Sequence, residues 1–221
     1  MILFDVDGTL IRSNRLHHDA FLHAIKHVHH VDLDAKTHTP GLTDPIILAE
    51  FSREAGIKES VVESTISDLL QATTDYYVEH FKKGDSVLLP GVNSLLATLE
   101  KKGALLALLT GNVELIAQTK LSSLGVYGYF NSGGFGSDPH KTRGELVNFA
   151  LTKAGYKNHR DSVYLVGDTP RDVLAGKEAG LSHIVGVATG SYTTEELGES
   201  GAETVLKDLT DEYKALQAFG Y

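Results

Sequence analysis

The sequence runs Met1-Ile2-Leu3-Phe4-Asp5-Val6-Asp7-Gly8-Thr9-Leu10-Ile11-Arg12, four apolar residues leading straight into two carboxylates one residue apart, with a glycine directly after them. This pattern predicts a short buried strand whose carboxyl end carries charge and then turns. Open α/β sheets place their ligands at that end. If Val6 continues the strand, Asp5 and Asp7 leave the same side of the backbone about 7 Å apart. Two such anions repel unless a cation or a proton joins them. That suits a Mg²⁺ site beside one ionised carboxylate and one that can hold a proton. Taken alone, the segment reads equally as a strand followed by a polar turn that Asp and Gly merely shape.

The 221 residues can hold one large domain, or one domain with a sizeable insertion, around a real core. The formal charge of −9 argues against binding along nucleic acid or anionic membrane, which needs a basic surface. A small anionic substrate stays compatible if a local cation or metal collects it. No cysteine is present, which excludes disulfides, thiolate metal sites and cysteine nucleophiles and agrees with a cytoplasmic setting. The apolar start is too short for a signal peptide or a membrane span, and no other stretch reaches spanning length.

From about Leu16 to His30, Phe21, Ala24, Ile25 and Val28 share one helical face, and His23, His27 and His30 share the other. His23 and His27 have the spacing of helical metal ligands, but no third ligand accompanies them, and a solvated face is the reading adopted. Pro40-Gly41-Leu42-Thr43-Asp44-Pro45 is a loop, in which Thr43 or Asp44 can cap a helix to about Ala55. A second helical run covers about Glu59 to Lys82. Residues 13–86 therefore read as all helix. After Leu88-Leu89-Pro90-Gly91, helices and apolar strands alternate, with strands at Ala104 to Leu109, near Tyr129, at Ser162 to Val166 and at His183 to Val187. Strands apolar on both faces imply a parallel sheet covered by helices on both sides. The fold expected is α/β, a Rossmann-like core of residues 1–12 and 87–221 with an all-helical cap of residues 13–86 inserted beside the site.

Three apolar strands end in residues that handle phosphate and metal: Asp5 and Asp7, then Thr110-Gly111-Asn112, then Asp168 followed by Asp172. In a parallel sheet these ends lie along one edge, so they can converge. Thr110-Gly111-Asn112 offers a hydroxyl and free N–H groups at a helix start, which cradle phosphoryl oxygens or simply cap the helix. Asp168 and Asp172 are spaced so that one faces the site while the other supports it, or so that Asp172 serves only the helix N-terminus. Lys141 and Arg143, just before a further helix, supply the positive charge that a phosphoryl group beside carboxylates requires.

These four motifs, in this order, resemble the haloacid dehalogenase superfamily of aspartyl-phosphate hydrolases, in particular its phosphoglycolate phosphatase-like members with a helical cap of the first type. The resemblance covers nearly the whole chain, and Phe4-Asp5-Val6-Asp7-Gly8-Thr9-Leu10 is its most specific part. It implies a Mg²⁺-dependent phosphatase acting on a small phosphorylated metabolite, as a monomer or small homo-oligomer. By the same resemblance Asp5 is the nucleophile, Asp7 the acid and then the base, and Thr110 the holder of the phosphoryl group. The Asp5 carboxylate, the Asp7 backbone carbonyl and Asp168 would bind Mg²⁺ with Asp172 in support, while Gly111 and Asn112 border the pocket. Either Lys141 or Arg143 is the phosphate-stabilising cation. Lys141 lacks the proline that usually follows the family lysine, and the Glu145-Leu146-Val147 run points to Arg143. Substrate choice is expected in the cap, above all at Thr43 and Asp44. A sugar phosphomutase of the same superfamily, and a signalling or binding protein that holds its phospho-aspartate, are the alternative readings. Asp7 argues against the dehalogenating branch, where halide leaves without a proton.

Overall fold

A computed structural model of the protein describes residues 1–35 and 40–221. Among them, six strands form one sheet in the order β5-β4-β1-β6-β7-β8, with every neighbouring pair parallel. The sheet is built from β1 (Ile2–Phe4), β4 (Leu106–Leu109), β5 (Ser132–Gly134), β6 (Tyr164–Gly167), β7 (His183–Val187) and β8 (Thr204–Leu206). A separate antiparallel ribbon joins β2 (Ile11–Ser13) to β3 (Ser86–Leu88). The helices are α1 (Leu16–His29), α2 (Asp44–Glu54), α3 (Glu59–His80), α4 (Val92–Lys101), α5 (Glu114–Ser123), α6 (Arg143–Lys153), α7 (Pro170–Glu178), α8 (Thr194–Glu199) and α9 (Glu212–Ala218).

β1 is buried along its whole length because its alternate side chains feed two cores. Ile2 and Phe4 pack with Leu106, Leu108, α4 and α9 on one face of the sheet. Leu3 packs with Ala107, Leu109, α6 and α7 on the other. Strands covered on both faces read as continuous apolar runs, which is why this sheet was legible as parallel. β1 lies between β4 and β6, so the chain leaves it in one direction and later returns on its other side. A crevice outside the strand ends forms at such a reversal.

Between β2 and β3 the chain makes α1, α2 and α3, which bury Phe21, Ile25, Leu48, Phe51 and Leu69 in a core of their own. A smaller apolar contact of Ala20 and Tyr77 with Ile116 of α5 seats this helical unit against the sheet domain. Two expectations shift in detail. Ser13 and Ser86, the ends of the stretch read as all helix, belong to the antiparallel ribbon. Three-residue strands are too short to display a period. Tyr129 lies in a 3₁₀ turn, and the strand expected there falls at Ser132–Gly134.

Candidate active site

The three central strands end within one residue of each other. Thr110 follows β4, Asp5 follows β1 and Asp168 follows β6, each one residue beyond the last strand residue. Residue Phe4 pairs with Leu108 and Val166, so the polar residues beyond them come together. Gly8 turns the chain back with φ +88°, and a Cβ there would sit 2.3 Å from Asp168 Oδ2. Glycine thus lets the loop after β1 close over Asp168. Thr9 donates its hydroxyl to Asp168 Oδ1 at 3.3 Å. Asp172 is the third residue of α7 and completes a capping box with Thr169. Its other oxygen accepts from Arg143, so Asp172 reaches the cluster as well as serving the helix N-terminus.

Asp5, Asp168 and Asp172 are all buried, and one oxygen from each falls within 4.8 Å of the others. Arg143, only 9% exposed, donates to Asp5 Oδ1 at 2.8 Å and to Asp172 Oδ1 at 2.6 Å through the same nitrogen. Its Nε is buried without a partner among the described residues, a donor the arrangement leaves unfilled. Burial and the adjacent Asp172 carboxylate push Asp5 well above the usual carboxylate range, with Arg143 pulling the other way. Burial, then Asp172, raises Asp168 from 3.8 to about 7. When ionised, three carboxylates against one guanidinium leave a local charge of 1 − 3 = −2. Hard oxygen ligands and an uncompensated double negative charge fit a divalent cation such as Mg²⁺.

The neighbouring Lys141 takes no part in this cluster. It is exposed, and its backbone N–H donates to Glu145 Oε2 at 2.7 Å. The difference follows from where α6 begins. Thr142 is its N-cap, accepting from the Glu145 N–H, so Arg143 opens the helix beside the site while Lys141 lies outside it.

Asp7 points away from the carboxylate cluster. One oxygen accepts from the Ser13 hydroxyl at 2.8 Å, and the other from Asn112 Nδ2 at 2.9 Å and Lys120 Nζ at 2.7 Å. Burial alone would raise its pKa, but the Lys120 charge and hydrogen bond outweigh burial and lower it from 3.8 to about 2. Thr110, fully buried, does not cap α5. Its Oγ1 accepts from the Asn112 N–H at 3.2 Å and from Asn112 Nδ2 at 2.6 Å, leaving its own proton to donate. Lys120 and His17 are residues that the sequence reading missed. Both carried a signal, since Lys120 interrupts the apolar face of α5 between Ile116, Ala117 and Leu121, and His17 lies one helical turn before Phe21.

The cap loop docks on the second strand end. A Cβ on Gly111 would meet Leu42 O at 2.3 Å, so glycine admits the backbone of the loop. Asp44 N–H donates to Gly111 O at 2.8 Å, and Asp44 Oδ2 accepts from the Val113 N–H at 2.7 Å. Asp44 therefore caps α5 rather than its own helix. His17 Nε2 lies 3.3 Å from the same oxygen, within ion-pair distance but without an aligned hydrogen bond. The Thr43 hydroxyl lies 3.2 Å from His140 Nε2, and His140 Nδ1 donates to the Asp138 carbonyl at 2.7 Å. Between cap and sheet a cavity of about 470 Å³ remains, with Asp5, Thr110 and Arg143 at its base and His18, Phe21 and Leu42 on its cap side. Asp44 reaches its wall, and Thr43, 1% exposed, does not. The spaced histidines of α1 hold no cluster: His23 stacks on Tyr76 at 4.3 Å, and the carboxylate trio alone among the described residues has metal-binding geometry.

A sequence profile of the haloacid dehalogenase-like hydrolases matches residues 2–186, and the chain belongs to that family. It is similar to the pyrophosphatase PpaX of Halalkalibacterium halodurans, 28% identical over 85% of this chain and 83% of that one. It is also 32% identical to the phosphoglycolate phosphatase of Pasteurella multocida over 56% of this chain and 55% of that protein. A crystal structure of a hydrolase from Pseudomonas syringae superposes with a TM-score of 0.73 at 24% identity, covering 98% and 97% of the two chains. At that identity the likeness speaks for the fold alone.

Proposed function

We propose that the protein is a Mg²⁺-dependent phosphatase that hydrolyses a small phosphomonoester through a phospho-aspartate on Asp5. The observation that carries this reading is the buried cluster of Asp5 and Asp168, at the ends of adjacent parallel strands, with Asp172 and Arg143 from the first turns of α7 and α6. Asp5, Asp168 and the Asp7 backbone carbonyl, with Asp172 in support, would hold Mg²⁺, which would supply positive charge against the phosphoryl oxygens. Arg143 keeps the Asp5 carboxylate oriented, and Thr110 donates its free hydroxyl proton to the phosphoryl group. Asp5 attacks phosphorus, the bond to the leaving oxygen breaks, and Asp7 gives that oxygen a proton. Asp7 then takes a proton from water as the water oxygen bonds to phosphorus, and the bond from phosphorus to Asp5 breaks to release phosphate. In the arrangement described, the Asp7 carboxylate accepts from Ser13, Asn112 and Lys120. The site as a whole handles only the phosphoryl group, so the cap side of the cavity discriminates among leaving groups.

Phosphate release from a panel of phosphomonoesters together with pyrophosphate, with and without Mg²⁺, tests the reading. The pyrophosphatase and the phosphoglycolate phosphatase among the relatives put pyrophosphate and phosphoglycolate first in that panel. The expected result is Mg²⁺-dependent release that Asp5→Asn abolishes. Release without Mg²⁺, or release that survives Asp5→Asn, contradicts it.

A further inference from the structure

Lys120 is a buried charge that the proposed reaction does not use. It lies on the apolar face of α5 among core residues and is 1% exposed. An ammonium in such a place is costly unless its donors are met. They are met by Asn112 Oδ1 at 2.6 Å and Asp7 Oδ2 at 2.7 Å, with His17 Nδ1 at 3.3 Å. The ring of Tyr77 lies 5.7 Å from Nζ. Asn112 closes a triangle by donating its amide to the same Asp7 oxygen at 2.9 Å. His17 and Tyr77 come from the cap helices α1 and α3, so the docked cap completes the surroundings of Lys120.

We infer that Lys120 is a positioning residue for the reaction and acts through Asp7. It fixes the Asp7 carboxylate and the Asn112 amide in one arrangement, and does so fully only with the cap seated. The inference rests on the proton-transfer role proposed for Asp7. A proton donor works only within reach of the leaving oxygen, and a misplacement of about 1 Å costs about 10²-fold in rate. Lys120 supplies the contact on Asp7 Oδ2 from α5 and the acceptor partner of Asn112 Oδ1. Its removal takes one contact from each group at once and leaves Asp7 to Ser13 and Asn112, while Asp5, Asp168, Asp172 and Arg143 keep their contacts.

The test is kcat/KM with Mg²⁺ for wild type, Lys120→Met, Asp7→Asn and the double variant. Two probes are used: the best alkyl phosphate of the panel, and p-nitrophenyl phosphate, whose leaving phenolate needs little help from a proton. On the alkyl phosphate Lys120→Met is expected to lose about 10²-fold, carried by kcat with KM little changed. On p-nitrophenyl phosphate the loss is expected to be much smaller. In the Asp7→Asn background Lys120→Met is expected to add nothing, because residues acting as a unit are not additive. Should Lys120→Met not fold, Lys120→Gln, which keeps a donor on a shorter side chain, takes its place in the cycle. Equal losses on both probes, additive losses in the double variant, or no loss at all overturn the inference. An Asp7→Asn enzyme as fast as wild type overturns the acid assignment and the inference with it. A slow Asp7→Asn beside an unimpaired Lys120→Met overturns the inference alone.

Discussion

Arg143 reaches Asp5 and Asp172 with one nitrogen, at 2.8 and 2.6 Å, in a place where every partner is nearly dry. Removing one side of a buried charge pair costs about 3–5 kcal/mol, because the charge left behind stays desolvated. Arg143→Ala should therefore lower the unfolding midpoint and cut kcat about 10²-fold or more, as loss of a preorganised donor does. Lys141→Ala, on an exposed side chain, should change kcat by no more than about twofold, within the range of ordinary surface substitutions. Steady-state kinetics and thermal denaturation of the two variants check both, and equal losses would reopen the assignment. The sequence offered both cations two positions apart. What separates them is the first turn of α6, and a helix boundary is uncertain by a residue or two when read from pattern alone. Asp5, Thr110 and Asp168 were legible because each ends an apolar run. Lys120 was not, since a lysine in a helix reads as surface unless its apolar neighbours are weighed.

At the scale of the elements, the cap loop holds the segment leading into α5, by a side-chain bond to the Val113 N-cap and a backbone bond to Gly111, and Gly111 makes room for both. A methyl group on residue 111 would lie 2.3 Å from Leu42 O, closer than any packing tolerates. Gly111→Ala should leave the sheet domain folded, with the cap loop displaced and activity on every substrate reduced. Limited proteolysis near the loop, compared with wild type, reads the displacement. Asp44→Ala removes the cap of α5, a change worth about 1 kcal/mol at a helix N-terminus. Because the Asp44 carboxylate is spent on the Val113 N–H, its loss should weaken activity across the whole panel rather than shift preference. A changed order of substrates would restore Asp44 as a reader of the leaving group, the role first expected of it. Parallel strands and their helices were readable from the sequence because burial on both faces leaves an apolar run. The β2–β3 ribbon and the docking of the loop were not, since they depend on contacts between segments about 70 residues apart, which no local period records.

Across the whole molecule, a net charge of −9 coexists with a site that gathers anions, and the site does this by concentrating its need for a cation at one place. Burial and Asp172 raise Asp168 to about 7, so below that pH a proton competes for the place a divalent cation would take. Mg²⁺ should raise the unfolding temperature, and the gain should grow as pH rises through about 7, where the site releases its proton. Taking the Mg²⁺-induced difference at each pH cancels the contribution of the histidines, several of which burial holds below their usual value. A gain that is flat or falls with pH would contradict the carboxylate trio as the cation site. Among the described residues no helix is long and apolar enough to cross a membrane. The proposed chemistry depends most directly on a covalent bond between Asp5 and phosphorus. Turnover mixtures quenched in acid, reduced with borohydride and digested for mass spectrometry will show where the phosphoryl group was carried, because an acyl phosphate is reduced and a free carboxylate is not. Asp5 alone should be converted to the alcohol, and only with substrate and Mg²⁺ present. An unreduced Asp5 during active turnover, or reduction at another residue, would contradict it.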